Sequence, residues 1–126
     1  MFKDTPAFSG FSVNDLAAAK KFYGDTLGIE TEETPQGLSL KITGGKGLFI
    51  YPKDNHEPAT YTVLNFSVDD IDKAVEELAG KAIKFEHYNG MTDDKGIARG
   101  LAANMGPDIA WFKDPAGNVL AVLQEG

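Results

Sequence analysis

The amino-acid sequence predicts an α+β fold built from two βαβββ modules. Two observations lead to this prediction: a strand, a helix and three strands follow one another in the first half, and the same pattern returns in the second half. The segment Val13-Asn14-Asp15-Leu16 aligns with Val68-Asp69-Asp70-Ile71, 55 positions further along the chain. Self-similarity of this kind indicates an internal duplication. We therefore expect one domain of 126 residues, with modules at residues 1–56 and 57–126.

The first module begins with a β-rich run at residues 7–13 and continues into a helix. Asp15 is a suitable N-cap, and apolar residues then recur at steps of three and four, which is typical of a buried helix face. These residues are Leu16, Ala19, Tyr23 and Leu27. Gly28 suits the left-handed position that ends many helices. Turn residues at Pro35-Gln36-Gly37 and Gly44-Gly45-Lys46-Gly47 then separate three predicted strands, at residues 29–33, 38–42 and 48–51.

The second module follows a polar connector that runs from Pro52 to Thr60. A strand is predicted at residues 61–68, and Asp69-Asp70 supplies the start of a helix that closes at Gly80. Three more strands are predicted at residues 83–88, 109–113 and 119–123.

The segment from Asn89 to Pro107 has no counterpart in the first module. It is nearly without periodicity, and it is longer than an ordinary connection in a compact domain. Segments of this length are either functional lids or mobile surface loops, and the sequence leaves both open.

The hairpin near the C-terminus sets the register of the last two predicted strands. Asp114-Pro115-Ala116-Gly117 suits a type I turn with Gly117 in the left-handed region. A three-residue loop of this kind places Trp111, the single tryptophan, across from Ala121 on the same face of the sheet.

Composition excludes several classes of function. The chain has no cysteine, which removes disulfides, thiolate metal sites and cysteine nucleophiles. Its 19 acidic and 12 basic residues give a net charge of −7, which disfavours nucleic acid and anionic membranes as partners. Neither a secretory signal nor a membrane span is apparent, so we expect a cytoplasmic protein. A cationic or neutral small molecule is the ligand that this charge favours.

The duplicated module resembles the vicinal oxygen chelate superfamily, which includes glyoxalase I, extradiol dioxygenases, fosfomycin-resistance enzymes and bleomycin-resistance proteins. The residues that carry the resemblance are Phe11-Ser12-Val13-Asn14-Asp15-Leu16, Phe22-Tyr23, Leu27-Gly28 and Trp111-Phe112-Lys113-Asp114-Pro115-Ala116-Gly117-Asn118. The resemblance implies a cupped, eight-stranded mixed sheet around a cavity. In the enzymes of the family, this cavity holds a divalent metal bound by His, Gln and Glu side chains.

The positions that the resemblance assigns to metal ligands carry unsuitable residues in this chain. They are Phe8, Val63, Ala121, and either Ile50 or Tyr51. None of these residues is an ordinary metal ligand. We therefore predict a member of the family that uses no metal and no other cofactor. His56, in the connector, and His87, on a predicted strand, match none of the ligand positions, and no base is recognisable beside any serine.

Three interpretations of the function follow. The first is a protein of the bleomycin-resistance kind, which binds a small planar or cationic organic molecule in an apolar cleft without metal. The ligand-binding residues expected for it are Phe8, Tyr51, Val63, Asn65, Tyr88, Arg99, Trp111 and Ala121. The second is a metal-independent isomerase or lyase that uses acid-base residues of the segment 89–107, such as Asp93, Asp94 or Arg99. The third is a dimerisation or regulatory module whose interior is filled by its own side chains. The resemblance also implies a homodimer.

Overall fold

A computed structural model of the chain describes residues 1–44 and 47–126. It divides into two compact units, Met1–Pro58 and Ala59–Gly126, each of which contains one four-stranded sheet. The eight strands and the duplicated βαβββ order confirm the predicted α+β fold. In this described part of the chain, no helix is long and apolar enough to cross a membrane.

The first unit contains the strands β1 (Ser9–Val13), β2 (Thr31–Thr34), β3 (Gly37–Leu40) and β4 (Leu48–Pro52). Their order in the sheet is β1-β4-β3-β2; β1 and β4 run parallel, and the other neighbours run antiparallel. The predicted glycine turn between β3 and β4 lies partly outside the described residues, because Gly45 and Lys46 are not among them. The flanking residues Leu40 and Leu48 pair directly.

The predicted helix of the first unit is present, but it has two parts. The α-helix α1 (Leu16–Lys20) starts at Asp15, whose carboxylate accepts the Ala18 N–H at 3.1 Å. A π-helical segment, Lys21–Thr26, continues it and buries the successive rings of Phe22 and Tyr23. Such wider turns occur mostly as short insertions in α-helices. Gly28 then adopts a φ of +72°, which confirms the predicted left-handed helix end.

The second unit repeats this plan. It contains β5 (Thr62–Ser67), α2 (Ile71–Ala79), β6 (Ile97–Arg99), β7 (Asp108–Lys113) and β8 (Val119–Gln124), with the sheet order β5-β8-β7-β6. Asp70 caps α2 as Asp15 caps α1, accepting the Lys73 N–H at 3.1 Å. The two caps lie 55 positions apart, as the internal repeat predicts.

The prediction of a strand at residues 83–88 is wrong. Only Phe85 forms a bridge, to Phe112, and the Glu86 N–H donates to the Trp111 carbonyl at 2.8 Å. The edge strand of the sheet is instead β6, which lies inside the segment that was expected to lack structure. Because β6 already pairs with the first half of β7, residues 85–86 can reach only the remaining half of that edge.

The predicted C-terminal hairpin is confirmed in turn and register. Trp111 pairs with Ala121, and Gly117 has a φ of +85°. The buried carboxylate of Asp114 accepts N–H groups from Ala116 at 3.0 Å and Asn118 at 2.8 Å, which fixes the turn.

The helix of each unit covers one face of its own sheet. In the second unit, α2 contacts β7 and β8, and the covered face holds the buried residues Ala110, Phe112, Leu120 and Val122. Trp111 and Ala121 alternate with these residues along the strands and therefore lie on the opposite face. We call this opposite side of each sheet its helix-free face.

Candidate functional site

A pair of aromatic rings marks the helix-free face of the second sheet. The rings of Trp111, on β7, and Tyr88 have centroids 5.5 Å apart and planes inclined at 76°. Tyr88 is positioned by a tight turn in which its N–H donates to Thr92 Oγ1 at 2.8 Å and its carbonyl accepts the Met91 N–H at 3.0 Å. This turn leads from Tyr88 into the segment from Asn89 to Pro107, which has no counterpart in the first module.

The two rings line a pocket of about 240 Å³, which we call the Trp111 pocket. Its walls come from the start of β5, the Tyr88 turn, β7 and β8. The lining residues are Thr60, Tyr61, Thr62, Tyr88, Met91, Trp111 and Val119. None of these side chains carries a charge, so the pocket presents aromatic and aliphatic surface with a few hydroxyl groups. The sequence predicted Trp111 and Tyr88 here, whereas Tyr61, Thr62, Met91 and Val119 follow only from the fold.

Three other predicted binding residues belong to the same sheet. Ala121 lies across β8 from Trp111 and is fully buried, and Asn65 on β5 is the next partner of Ala121 and is exposed. Val63 falls where the register between β5 and β8 shifts, between Thr62 and Leu64. A bulge of this kind commonly redirects a side chain at the end of a strand.

Phe8 and Tyr51 lie in the first unit. Phe8 precedes β1 and is 71% exposed, while Tyr51 stands on β4, where its ring is stacked near Phe49 with centroids 6.3 Å apart. The parallel register pairs Gly10 with Phe49 as it pairs Asn65 with Ala121. Phe49 is therefore the internal equivalent of Ala121, in place of the expected Ile50 or Tyr51.

Arg99, the remaining predicted binding residue, is on the opposite face of the second sheet from Trp111. It pairs with Asp108 in register, and its guanidinium binds the Asp72 carboxylate in a bidentate way, at 2.6 and 3.0 Å. Its Nε donates to Asp93 at 3.0 Å, and its Nη1 is 3.7 Å from an Asp108 oxygen. We call this group of four side chains the Arg99 clasp. It ties α2, β6 and the segment after the Tyr88 turn together.

The clasp shifts the pKa values of its members. The hydrogen bonds from Arg99 lower the pKa of Asp72, and those to Asp72 raise the pKa of Arg99. Burial acts to raise the pKa of Asp93, but the N–H groups of Ile97 and Lys95, together with Arg99, lower it below its ordinary value. Both carboxylates are therefore held in their ionised form. This makes Asp93 a weak general base, because its three hydrogen bonds stabilise the ionised carboxylate and oppose proton uptake.

A serine–histidine pair occurs where the sequence showed no base beside any serine. Ser12 Oγ is 2.6 Å from His56 Nδ1 and both residues are half-buried. The pair joins β1 to the connector, which a further bond from the Lys53 N–H to the Val13 carbonyl also fastens. The sequence did not predict this contact, because the two residues are 44 positions apart in the chain.

A larger open groove of about 500 Å³ lies between α2 and residues 83–87. Its floor is apolar, formed in part by Val75 and Phe85, and its rim carries charges of both signs as well as His87. The rim includes Asp72, which the Arg99 clasp already holds.

The residues at the positions of the family's metal ligands do not fit a metal ion. Val63, Ala121, Phe8 and Phe49 offer no donor atoms in their side chains, and Tyr51 offers only a phenol. Across residues 1–44 and 47–126, no group of three or more His, Cys, Asp or Glu side chains is arranged to hold a metal. Metal independence itself stays a prediction.

Solved structures of similar fold cover nearly the whole chain. A glyoxalase family protein from Bacillus anthracis is 20% identical, with a TM-score of 0.72 and coverage of 100% of this chain and 98% of the other. An antibiotic binding protein from a Streptomyces species is 21% identical, with a TM-score of 0.71 and coverage of 100% and 99%. A genomically encoded fosfomycin resistance protein from Listeria monocytogenes is 14% identical, with a TM-score of 0.68 and coverage of 95% and 92%.

Sequence comparison agrees with the structural likeness. No curated protein matches the chain significantly in sequence. Residues 8–122, however, match the family model of the Glyoxalase/Bleomycin resistance protein/Dioxygenase superfamily. The match spans both modules, including the first strand and the C-terminal hairpin. The chain therefore belongs to the Glyoxalase/Bleomycin resistance protein/Dioxygenase superfamily.

Proposed function

We propose that this protein binds a small planar or cationic organic molecule in the Trp111 pocket, without metal. The observation that carries the proposal is the pocket of about 240 Å³ beside the only tryptophan. A scaffold filled by its own side chains would leave no such space at this point. Pockets that combine aromatic walls with a few polar groups are typical of small-molecule sites.

The character of the lining supports a ligand bound by ring faces rather than by ion pairs. Trp111 and Tyr88 offer large apolar surfaces and π-faces, each capable of stacking on a planar compound or contacting a cation. The net charge of −7 favours the approach of cations over anions. The Streptomyces protein of similar fold is an antibiotic binding protein, which is a precedent for binding by this architecture.

The test uses two planar probes of matched shape, neutral quinoline and the cation N-methylquinolinium. Because Trp111 is the only tryptophan, its fluorescence reports on the pocket directly, and free N-acetyltryptophanamide corrects for collisional quenching. We expect a saturable change in emission with at least one probe. Calorimetry should show that binding is lost in Trp111→Ala.

A matched pair of methionines controls for general damage to the segment 89–107. Met91 and Met105 are both exposed, at 59% and 81%, but only Met91 lines the pocket. We expect Met91→Ala to weaken probe binding and Met105→Ala to leave it unchanged. Equal effects of the two substitutions, or no saturable binding of either probe, would contradict the proposal.

A second candidate function comes from the Ser12–His56 pair. A serine hydroxyl hydrogen-bonded to an imidazole is the arrangement that activates a nucleophile. Ser12 Oγ would attack the acyl carbonyl of an ester while its proton passes to His56; the ester C–O bond would then break, with the proton going to the departing alcohol, and water would release the acyl group from Ser12. This function ranks second, because the pair alone supplies no stabilisation for the oxyanion that such an attack creates. Hydrolysis of p-nitrophenyl acetate that disappears in Ser12→Ala and in His56→Gln would favour it over binding alone.

A further inference from the structure

The two rings of the Trp111 pocket form a corner rather than a slot. Their planes are inclined at 76° with centroids 5.5 Å apart, and both residues contribute to the pocket wall. A flat ligand can stack on only one of two nearly perpendicular rings. A compact, rounded group can contact both, because it presents surface in every direction. The ring geometry therefore favours a rounded group over a flat one.

The electrostatics of the corner favour a positive charge on that group. The faces of indole and phenol rings are electron-rich, and a cation within about 6 Å of a ring centroid is attracted to them. Among the described residues, no ammonium or guanidinium group lines the pocket to compete for these faces. Lys113, which lies on the same face of β7 as Trp111, is paired with Glu86 at 3.5 Å. The net charge of the whole chain is −7, which favours a cation.

The lining of the pocket narrows the ligand further. The Trp111 pocket has about 240 Å³ and is open to solvent, so a small head group can sit in it while the rest of the ligand extends outward. Met91 and Val119 provide apolar contacts for methyl groups, so a cation whose charge is covered by methyl groups suits the lining better than a hydrated ammonium.

We propose that the corner formed by Trp111 and Tyr88 binds the trimethylammonium head of a small quaternary ammonium compound. This rests on the proposed function and narrows it to one ligand class. Tyr88 becomes a specificity-determining residue: it supplies the second face, without which a planar compound would bind as well as a rounded one.

The test compares choline with 3,3-dimethylbutan-1-ol, which has the same shape but a carbon atom in place of the charged nitrogen. Each compound gives a single methyl resonance, whose broadening by the protein reports binding by NMR. A cation–π contribution of the usual size makes choline about 3- to 30-fold tighter than its neutral isostere. Tyr88→Leu should lower this ratio clearly, to the smaller value that the Trp111 face alone supports, and Tyr88→Phe, which keeps the ring face, should preserve it.

Each remaining outcome has a distinct meaning. Equal binding of choline and its isostere, or tighter binding of N-methylquinolinium than of choline, overturns the corner while leaving a small-molecule site at Trp111. An unchanged ratio in Tyr88→Leu overturns the role of Tyr88 and with it the corner. Loss of binding for all of these probes, quinoline included, overturns the proposed function as well.

Discussion

The two modules share a plan, but only the second carries a linking segment long enough to build a pocket wall. In the first, residues 27–30 connect the helical region to β2; in the second, residues 80–96 connect α2 to β6. Ser39 pairs with Phe49 as Trp111 pairs with Ala121, so a serine occupies in the first sheet the place that the tryptophan occupies in the second. The pocket has therefore arisen where the duplicated halves differ, in the residues that the shared fold does not require.

The largest expected effect is a difference in stability between substitutions on the two faces of β7. Phe112 is fully buried on the face that α2 covers, whereas its neighbour Trp111 is half-exposed on the helix-free face. Phe112→Ala should lower the free energy of unfolding by about 3–5 kcal/mol, because it leaves a cavity in the core. Trp111→Ala should cost clearly less while it removes ligand binding. Denaturant unfolding of both variants checks this, and a greater loss for Trp111→Ala would make the indole a core residue.

The Arg99 clasp makes the stability of the second module depend on pH. The first module contains none of the four residues of the clasp. Asp72 and Asp93 have pKa values below their ordinary ones, so they stabilise the fold above the pKa of the unfolded carboxyl, near 4, and this contribution is lost as the pH falls through the lower folded value. Arg99→Gln should reduce the melting temperature at pH 7. The difference from the wild type should shrink below about pH 4.

A matched control tests whether the loss of melting temperature comes from the clasp or would follow from breaking any exposed ion pair. Lys113 pairs with Glu86 at 3.5 Å, at a comparably exposed position on the neighbouring strand. Lys113→Gln should change the melting temperature less than Arg99→Gln, because isolated exposed pairs contribute little. Equal losses for the two variants at pH 7 would show that the clasp is no more than an ordinary surface ion pair.

The third prediction concerns assembly. Resemblance to the superfamily predicts a homodimer, either side by side or with modules exchanged through the connector at residues 52–60. In the exchanged form, the two modules of one functional unit would come from different chains. Sedimentation at micromolar concentration should give about twice the mass of the chain. A mass near 13.6 kDa argues against a stable dimer.

The smallest expected effect is that of metal removal, for which we expect no change in the melting temperature. Because Phe8, Phe49, Val63 and Ala121 carry no metal-binding side chains, extensive dialysis against EDTA should leave the melting temperature unchanged in both modules. Elemental analysis of the purified protein provides the complementary measurement. One equivalent of zinc, nickel or iron retained per chain contradicts the prediction.

Local chemistry made much of the fold predictable. Asp15 and Asp70 were recognisable as helix caps, and Gly117 as the left-handed residue of the last turn, because each of these roles depends on a few neighbouring residues. The pairing of Trp111 with Ala121 followed from the length of that turn alone. The edge strand was not predictable in the same way: residues 83–88 look as β-prone as β6, and only competition for the same edge of β7 decided between them.

The same distinction between local pattern and tertiary packing applies to the candidate site. The sequence by itself determined the duplicated fold, the apolar residues at the family's ligand positions and the place of Trp111 on the sheet, since periodicity and turn length act over short distances. Only the tertiary structure decided that Tyr88 meets Trp111 at a steep angle, that Met91 completes the wall, that Arg99 faces α2 instead of the pocket, and that Ser12 meets His56. These contacts join residues far apart in the chain, and their formation depends on how whole elements pack, which no local pattern records.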